Sequence, residues 1–186
     1  MLTLAKERVA PAIDRLSLAL AVVAMAQIIV LIGTMLYEVV ARYGFDRPTL
    51  WSGDIVYMMN GTLFLLGAAW TLQRNQHVRI DFLSVRMPIR AQHAANLIFY
   101  LLFFLPVLGV VSYATMFKTW VAYRDGELEQ MSGWEPKIWP FYAGLALGLV
   151  ALALQAIAEA IRHAVGLVDP IAVAPPTAAS DHQAAV

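Results

Sequence analysis

The chain has 186 residues, of which 60% are hydrophobic and only 14% are charged, and its formal net charge is zero. Soluble domains carry about a quarter of their residues as charged side chains, so this composition excludes an ordinary soluble domain and indicates a membrane protein. The absence of cysteine excludes a structural disulfide, a thiol redox relay and covalently attached haem.

Four stretches contain no Asp, Glu, Lys or Arg, at residues 16–37, 55–72, 94–117 and 138–158. Each would be long enough, as a helix, to cross a hydrocarbon core of about 30 Å. Backbone amides cannot stay unpaired in lipid, and the alternation of a membrane barrel is absent, so the crossings are predicted to be helical. The first stretch is too long for the apolar core of a signal peptide. The sequence therefore predicts an all-α integral membrane fold with four transmembrane helices.

The basic residues predict that the N-terminus and the C-terminus are both cytoplasmic. In that orientation eight lysines and arginines lie inside and five outside, and four of the eight lie in the short second connector, as the positive-inside rule expects. The predicted organisation is a cytoplasmic segment at residues 1–15, a four-helix membrane domain at residues 16–168 and a disordered cytoplasmic tail at residues 169–186.

The second connector is predicted to form a short interfacial helix between the second and third crossings. Apolar residues recur there at helical spacing beside a face of arginines, as in helices that lie among lipid headgroups. The apolar positions are Val78, Phe82, Val85 and Ile89, and the arginines are Arg79, Arg86 and Arg90. Pro88 is predicted to stand in the first turn of the third crossing, because proline deeper in a helix removes a backbone hydrogen bond.

Aromatic residues gather near the predicted outer ends of the crossings, among them Trp51, Trp120, Trp134 and Trp139. Their amphipathic rings favour the membrane interface, so an interfacial belt is the simpler interpretation. A docking surface for an extracytoplasmic partner is the alternative.

The polar residues inside the four stretches are few and neutral. They are Gln27, Thr34, Asn60, Thr62, Asn96, Ser112, Thr115 and Gln155. Proton relays and many ion pathways use ionisable groups at membrane depth, and these stretches contain none. We expect the neutral groups to form hydrogen bonds across helices, with Asn60 as a candidate for lining a partner's path. Gly144 and Gly148 form a G-x-x-x-G pattern that allows close helix contact, either within the chain or with another subunit.

Charged residues mark the outer ends of the first two predicted helices. Glu38 and Arg42 are spaced for an ion pair, and Ser52 and Asp54 are placed to cap the second helix. Together with Trp51, a carboxylate and an arginine at neighbouring helix ends are also suited to clamping a partner.

Several short elements occur in an order and spacing shared with a known family. They are Glu38, Arg42 and Tyr43; Trp51 and Asp54; Gly67, Ala68 and Ala69; Arg74; and His77 and Asp81 with Pro88 downstream. These elements resemble the small membrane subunit of tripartite ATP-independent periplasmic (TRAP) transporters, the DctQ-like family. The element from His77 to Asp81 is the most specific. A single Asp54 follows Gly53, where the family often has two acids.

The resemblance implies one part of a three-part transporter of the bacterial inner membrane. A DctP-like periplasmic binding protein captures an organic anion, and a large DctM-like permease imports it using a sodium gradient. The small subunit packs in the bilayer against the permease as a static scaffold. It neither carries substrate nor acts as an enzyme, so no catalytic, cofactor or metal site and no nucleic-acid partner is expected. The residues assigned to subunit interfaces or structural motifs are Glu38, Arg42, Trp51, Asp54, Gly67, Arg74, His77, Asp81, Gly144 and Gly148.

Two other classes of membrane protein are alternatives. A four-helix cytochrome needs axial histidines that face one another inside the bundle, whereas His77, His93, His163 and His182 are all assigned to connectors or tails. A self-sufficient homo-oligomeric channel or exporter for small solutes stays open, because the absence of charged pore-lining residues argues only against ion conduction.

Overall fold

A computed structural model describes residues 2–74, 88–130 and 132–168 of the chain. Helices α1 (Leu2–Gly44) and α2 (Ser52–Gln73) are followed by α3 (Ile89–Phe99), α4 (Leu105–Asp125) and α5 (Trp139–Val168). A π-helical segment at Tyr100–Phe104 joins α3 to α4 without a break, so the two form one long helix, called here the α3–α4 helix.

Four spans are long and apolar enough to cross a membrane: Ala10–Gly44, Ser52–Gln73, Arg90–Asp125 and Trp139–Leu167. The described residues contain no strand, only an isolated antiparallel bridge between Leu128 and Lys137. The predicted all-α membrane fold with four transmembrane helices is confirmed. The helices continue beyond the charge-free stretches, because α1 includes Arg42 and α5 includes Arg162.

Pro88 immediately precedes α3, one position earlier than predicted. Its carbonyl accepts hydrogen bonds from the backbone N–H groups of Ala91 at 2.8 Å and Gln92 at 3.2 Å. Pro88 is therefore the N-cap residue of α3. The predicted interfacial helix at residues 75–87 and the predicted tail at residues 169–186 lie outside the described residues.

Helix α5 is the centre of the bundle, because it packs against α1, α2, α3 and α4. In its most apolar stretch 50% of the residues are buried, against 17% in α1, 22% in α2 and 11% in the α3–α4 helix. Alanine is the commonest of its buried side chains, as at Ala146, Ala151 and Ala156. Small side chains let several helices approach one axis, which explains the central position of α5.

Two glycines bring α5 against α2. A Cβ atom at Gly148 would lie 2.7 Å from the backbone carbon of Leu65, and one at Gly144 would lie 2.5 Å from a side-chain carbon of Thr62. The structure thus places the G-x-x-x-G pattern in a contact within the chain.

The bundle has two ends that differ in chemistry. The tryptophan end carries the connectors at residues 45–51 and 126–138. The terminal end is where α1 and α3 begin and α2 and α5 end. At the start of the second of these connectors Gly126 ends α4 in a left-handed conformation (φ 65°), and within it the Glu129 N–H donates to the Pro136 carbonyl at 2.8 Å.

Candidate functional site

Glu38 ties the end of α1 to the connector that follows it. Its buried carboxylate accepts a hydrogen bond from Arg42 Nε at 2.9 Å and one from the Thr49 backbone N–H at 3.1 Å. The Thr49 hydroxyl donates to the same carboxylate. The predicted ion pair is therefore present, but the carboxylate is buried and also orders the connector.

Asp54 joins the start of α2 to the connector at residues 126–138. Its buried side chain accepts a hydrogen bond from the Ser132 hydroxyl, and the Trp134 backbone N–H donates to the Ser132 oxygen at 3.1 Å. The prediction that Ser52 caps α2 is wrong: Trp51 occupies the capping position, and no side chain forms a capping hydrogen bond there. The contact that the structure shows at this helix start is the tertiary bond between Asp54 and Ser132.

Trp51 packs against α1 through Tyr37, with the ring centroids 5.6 Å apart. On the other side of the bundle, Tyr123 of α4 meets Trp139 of α5 at 5.5 Å. Each contact joins the end of one helix to the start of the next. Other rings at this end, such as Trp120, are exposed, as an interfacial belt requires.

A network of charged and polar side chains joins α1 to α5 near the terminal end. Ser17 donates to Gln155 at 2.8 Å, and the Gln155 amide donates to Asp14 at 3.0 Å. Arg162 donates to Asp14 at 2.6 Å and also contacts Glu159. Gln155 is fully buried and Ser17 nearly so. A buried polar side chain without a hydrogen bond destabilises the fold, and here the two buried side chains bond to each other.

Sequence reasoning found only one member of this network, Gln155. Asp14, Glu159 and Arg162 lie just outside the charge-free stretches, and none of them was predicted to form a contact between helices. The spacing of Gln155, Glu159 and Arg162 at i, i+4 and i+7 puts all three on one face of α5, and that pattern was the available signal. It could not reveal the partner on α1.

Three of the other interior polar residues, Gln27, Thr34 and Thr115, show two kinds of hydrogen bond. Gln27 donates across helices to Thr62 at 3.2 Å, as predicted. Thr34 and Thr115 instead donate to carbonyls of their own helices at 2.9 and 2.8 Å, so the prediction of cross-helix bonds is wrong for them. A hydroxyl reaches the carbonyl four residues earlier without any partner helix.

His93 and His163 form a contact between α3 and α5. Their Nδ1 atoms are 3.0 Å apart, and the Tyr100 ring stacks on His163 with centroids 5.7 Å apart. A Cβ atom at Gly166 would come within 2.8 Å of the His93 ring, so glycine makes room for it. The assignment of these two histidines to connectors or tails is wrong. The rings touch directly, whereas the axial ligands of a haem hold an iron between them.

The remaining predicted residues are not gathered into one site. Arg74 is exposed, with its guanidinium 5.4 Å from the ring centre of Trp70. A Cβ atom at Gly67 would meet nothing within 4 Å among the described residues. His77 and Asp81 lie outside the described residues. In the described part of the chain, no group of three or more His, Asp or Glu side chains is arranged to hold a metal ion.

These observations describe a bundle whose polar groups tie its helices together. A comparison with protein families matches residues 31–166 to the DctQ component of the tripartite ATP-independent periplasmic transporters. Comparisons with curated proteins and with solved structures give no significant match. The family match covers well over half of the chain and extends from within the first crossing to the last. The chain therefore belongs to the DctQ component family of the tripartite ATP-independent periplasmic transporters.

Proposed function

We propose that this chain is a static scaffold that holds and orients the large permease of its transporter and does not itself carry substrate. In this proposal the large subunit imports an organic anion, a carboxylate, with a sodium gradient. A periplasmic binding protein delivers the anion. The small subunit acts through its packing surfaces.

The observation that carries the proposal is that α5 is engaged along its length within the chain. Gly148 meets α2 near the middle of the bundle, and Gln155 and Arg162 bond to α1 near the terminal end. The buried amide and charges of this network contact one another. Such an interior suits a rigid support better than a moving element, because displacement of one helix would separate buried polar partners.

The proposal includes an orientation in the bacterial inner membrane, with the tryptophan end periplasmic and both chain termini cytoplasmic. It is supported by the arginines in and near the second connector. Because the chain has no cysteine, single cysteines can test it. A membrane-impermeant maleimide added to intact spheroplasts is expected to label Gln130→Cys and to spare Ser180→Cys until the membrane is opened. The reverse pattern would contradict the orientation.

The scaffold role is tested by co-purification in mild detergent with the large permease encoded beside this chain. We expect a stable complex of one copy of each, and transport in proteoliposomes only when both are present with the binding protein. Solute-specific flux through the chain alone would instead establish the self-sufficient channel or exporter.

Within that complex the second connector is proposed to brace the assembly. Charge reversal at Arg74 or Asp81 is expected to reduce the yield of the complex more than charge reversal at Glu129 in the opposite connector. Equal and negligible losses in yield at all three positions would show that the second connector does not brace the assembly.

A further inference from the structure

Helix α2 has one narrow exposed face. It packs against α1 and α5, and its exposed residues are Gly53, Tyr57, Asn60 and Phe64. Spacings of four, three and four place them in a single row along the helix, and Gly67 continues the row at the next interval of three. Phe64 is 71% exposed and Tyr57 is 55% exposed. This row, residues 53, 57, 60, 64 and 67, is called the α2 outer row.

Asn60 places a polar amide on this row inside the membrane span. It lies eight residues after Ser52 and thirteen before Gln73, or about 12 Å and about 20 Å along the helix. Its side chain forms no hydrogen bond with the residues that the structure describes. Lipid tails offer an amide no partner, and a short side chain cannot reach the interface as lysine or tyrosine does. A neighbour that can form hydrogen bonds is therefore needed to cover Asn60.

Gly67 also indicates a partner on the α2 outer row. Gly144 and Gly148 are explained by contacts within the chain, but a Cβ atom at Gly67 would meet nothing within 4 Å in the described part of the structure. Small residues on an outward face let a second helix approach closely. Gly33 of α1 and Gly109 of α4 are equally open, so this feature only supports the argument from Asn60.

The outward faces of α1 and the α3–α4 helix have a different character. Ile29 and Leu36 on α1 and Val110 and Phe117 on α4 are exposed and apolar. An apolar groove of about 440 Å³ runs between α1 and α4, lined by side chains that include Leu147. Tyr113 carries its hydroxyl at the far end of a long ring, which suits a lipid boundary. Lipid alone can cover these apolar side chains.

We propose that the α2 outer row is the surface on which a transmembrane helix of the large permease packs, with a polar group of that helix bonded to Asn60 and its backbone close to Gly67. This inference rests on the proposed scaffold function and specifies the face that carries it. Polar complementarity selects the occupant, since the amide needs a protein partner at a depth where lipid supplies none.

Photo-crosslinking tests the face in the intact complex. A benzophenone amino acid is placed at Phe64 in one preparation and at Phe117 in another, because both rings are exposed, at 71% and 60%, and lie on different helices. Illumination of membranes is expected to join the small subunit to the permease from position 64 and to give lipid adducts from position 117. A permease adduct only from position 117, a dimer of the small subunit from position 64, or only lipid adducts from both would overturn the proposal.

Substitutions give a second readout. Asn60→Leu is expected to weaken the purified complex roughly 3- to 30-fold, the range of one interhelical hydrogen bond. Gly67→Leu is expected to weaken it further, while the matched variant Gly109→Leu leaves it unchanged. Unfolding of the isolated small subunit is measured for each, and no loss of stability is expected, because a larger side chain at these positions meets no described residue and leucine favours a helix more than glycine does. Equal affinity of all variants would refute the α2 outer row and leave the scaffold function standing, whereas failure of the unmodified pair to associate would refute the scaffold function itself.

Discussion

Helix α5 and the α3–α4 helix are almost equally apolar but occupy opposite positions in the molecule. Their most apolar stretches have mean hydropathies of 2.0 and 2.3, yet 50% of the residues are buried in the first and 11% in the second. Helix α5 presents alanines and glycines to its neighbours, whereas α4 carries Val110, Tyr113 and Phe117 outward. Hydropathy determines entry into the bilayer, and residue size with polar pairing decides which helix becomes the core.

The two helices are also joined to the bundle by different means. Helix α5 bonds to α1 through the buried network around Gln155 and meets α2 at Gly148. The α3–α4 helix is held mainly against α5, by the histidine pair at one end and the Tyr123–Trp139 contact at the other. Damage to α5 should therefore disturb three helices, and damage to the outward face of α4 should disturb none.

The largest effect is expected from Gly148→Leu. A Cβ atom there would lie 2.7 Å from the backbone of Leu65, and a backbone cannot move aside without separating α2 from α5. We expect a loss of about 3 kcal/mol or more in the free energy of unfolding, at the upper end of overpacking effects. Thermal unfolding of the purified chain in detergent measures it. A stability equal to that of the matched variant Gly109→Leu would show that α5 is not held as described.

Arg162→Leu is expected to cause the second-largest loss in the free energy of unfolding. It leaves the Asp14 and Glu159 carboxylates without their cation, and Glu159 is buried. Because Arg162 and Asp14 are partly exposed, we expect a loss of about 2 kcal/mol, below the range for a fully buried pair. The control is Arg15→Leu on the exposed side of α1, which should change the free energy of unfolding little. Equal losses for both arginines would contradict the network.

His93→Leu should have a smaller effect. It removes the contact between His93 and His163 at 3.0 Å, and one neutral hydrogen bond contributes about 1 kcal/mol. The change should loosen α3 from α5 while the α1–α2–α5 contacts remain. Hydrogen exchange resolved by segment checks this, with faster exchange expected in α3 alone. Faster exchange in α1 would contradict the expectation that the α1–α2–α5 contacts remain.

Val110→Ala is expected to have the smallest effect. Val110 is 69% exposed on the outward face of α4, so lipid or detergent replaces the lost methyl contacts. The free energy of unfolding should change by less than about 0.5 kcal/mol, as for other surface substitutions. A larger loss would mean that this face of α4 packs against protein.

Most of the fold could be predicted from the sequence, because the signal for a membrane helix is local. Four charge-free runs gave four crossings, and short motifs such as Trp51 to Asp54 indicated the family. The helix ends were harder to predict from the sequence. Helices α1 and α5 include Arg42 and Arg162, which form ion pairs with Glu38 and Asp14. His93 was assigned to a connector although it stands beside the first residue of a predicted crossing.

The candidate site was less predictable, because its bonds join distant parts of the chain. Gln155 and Asp14 are 141 positions apart, and Asp54 and Ser132 are 78 apart. Asp54 was correctly placed at the start of α2, but its hydrogen-bond partner depends on the course of another connector. No local pattern contains that information.

The sequence by itself determined that this protein is a four-helix membrane protein of the DctQ family, because hydropathy and motif spacing are properties of contiguous residues. Only the tertiary structure decided that α5 is the core, that Gly144 and Gly148 serve the α2 contact, and that Asn60 faces outward. These outcomes depend on which helix faces which, and in a membrane that choice follows from side-chain size and polar pairing across the bundle.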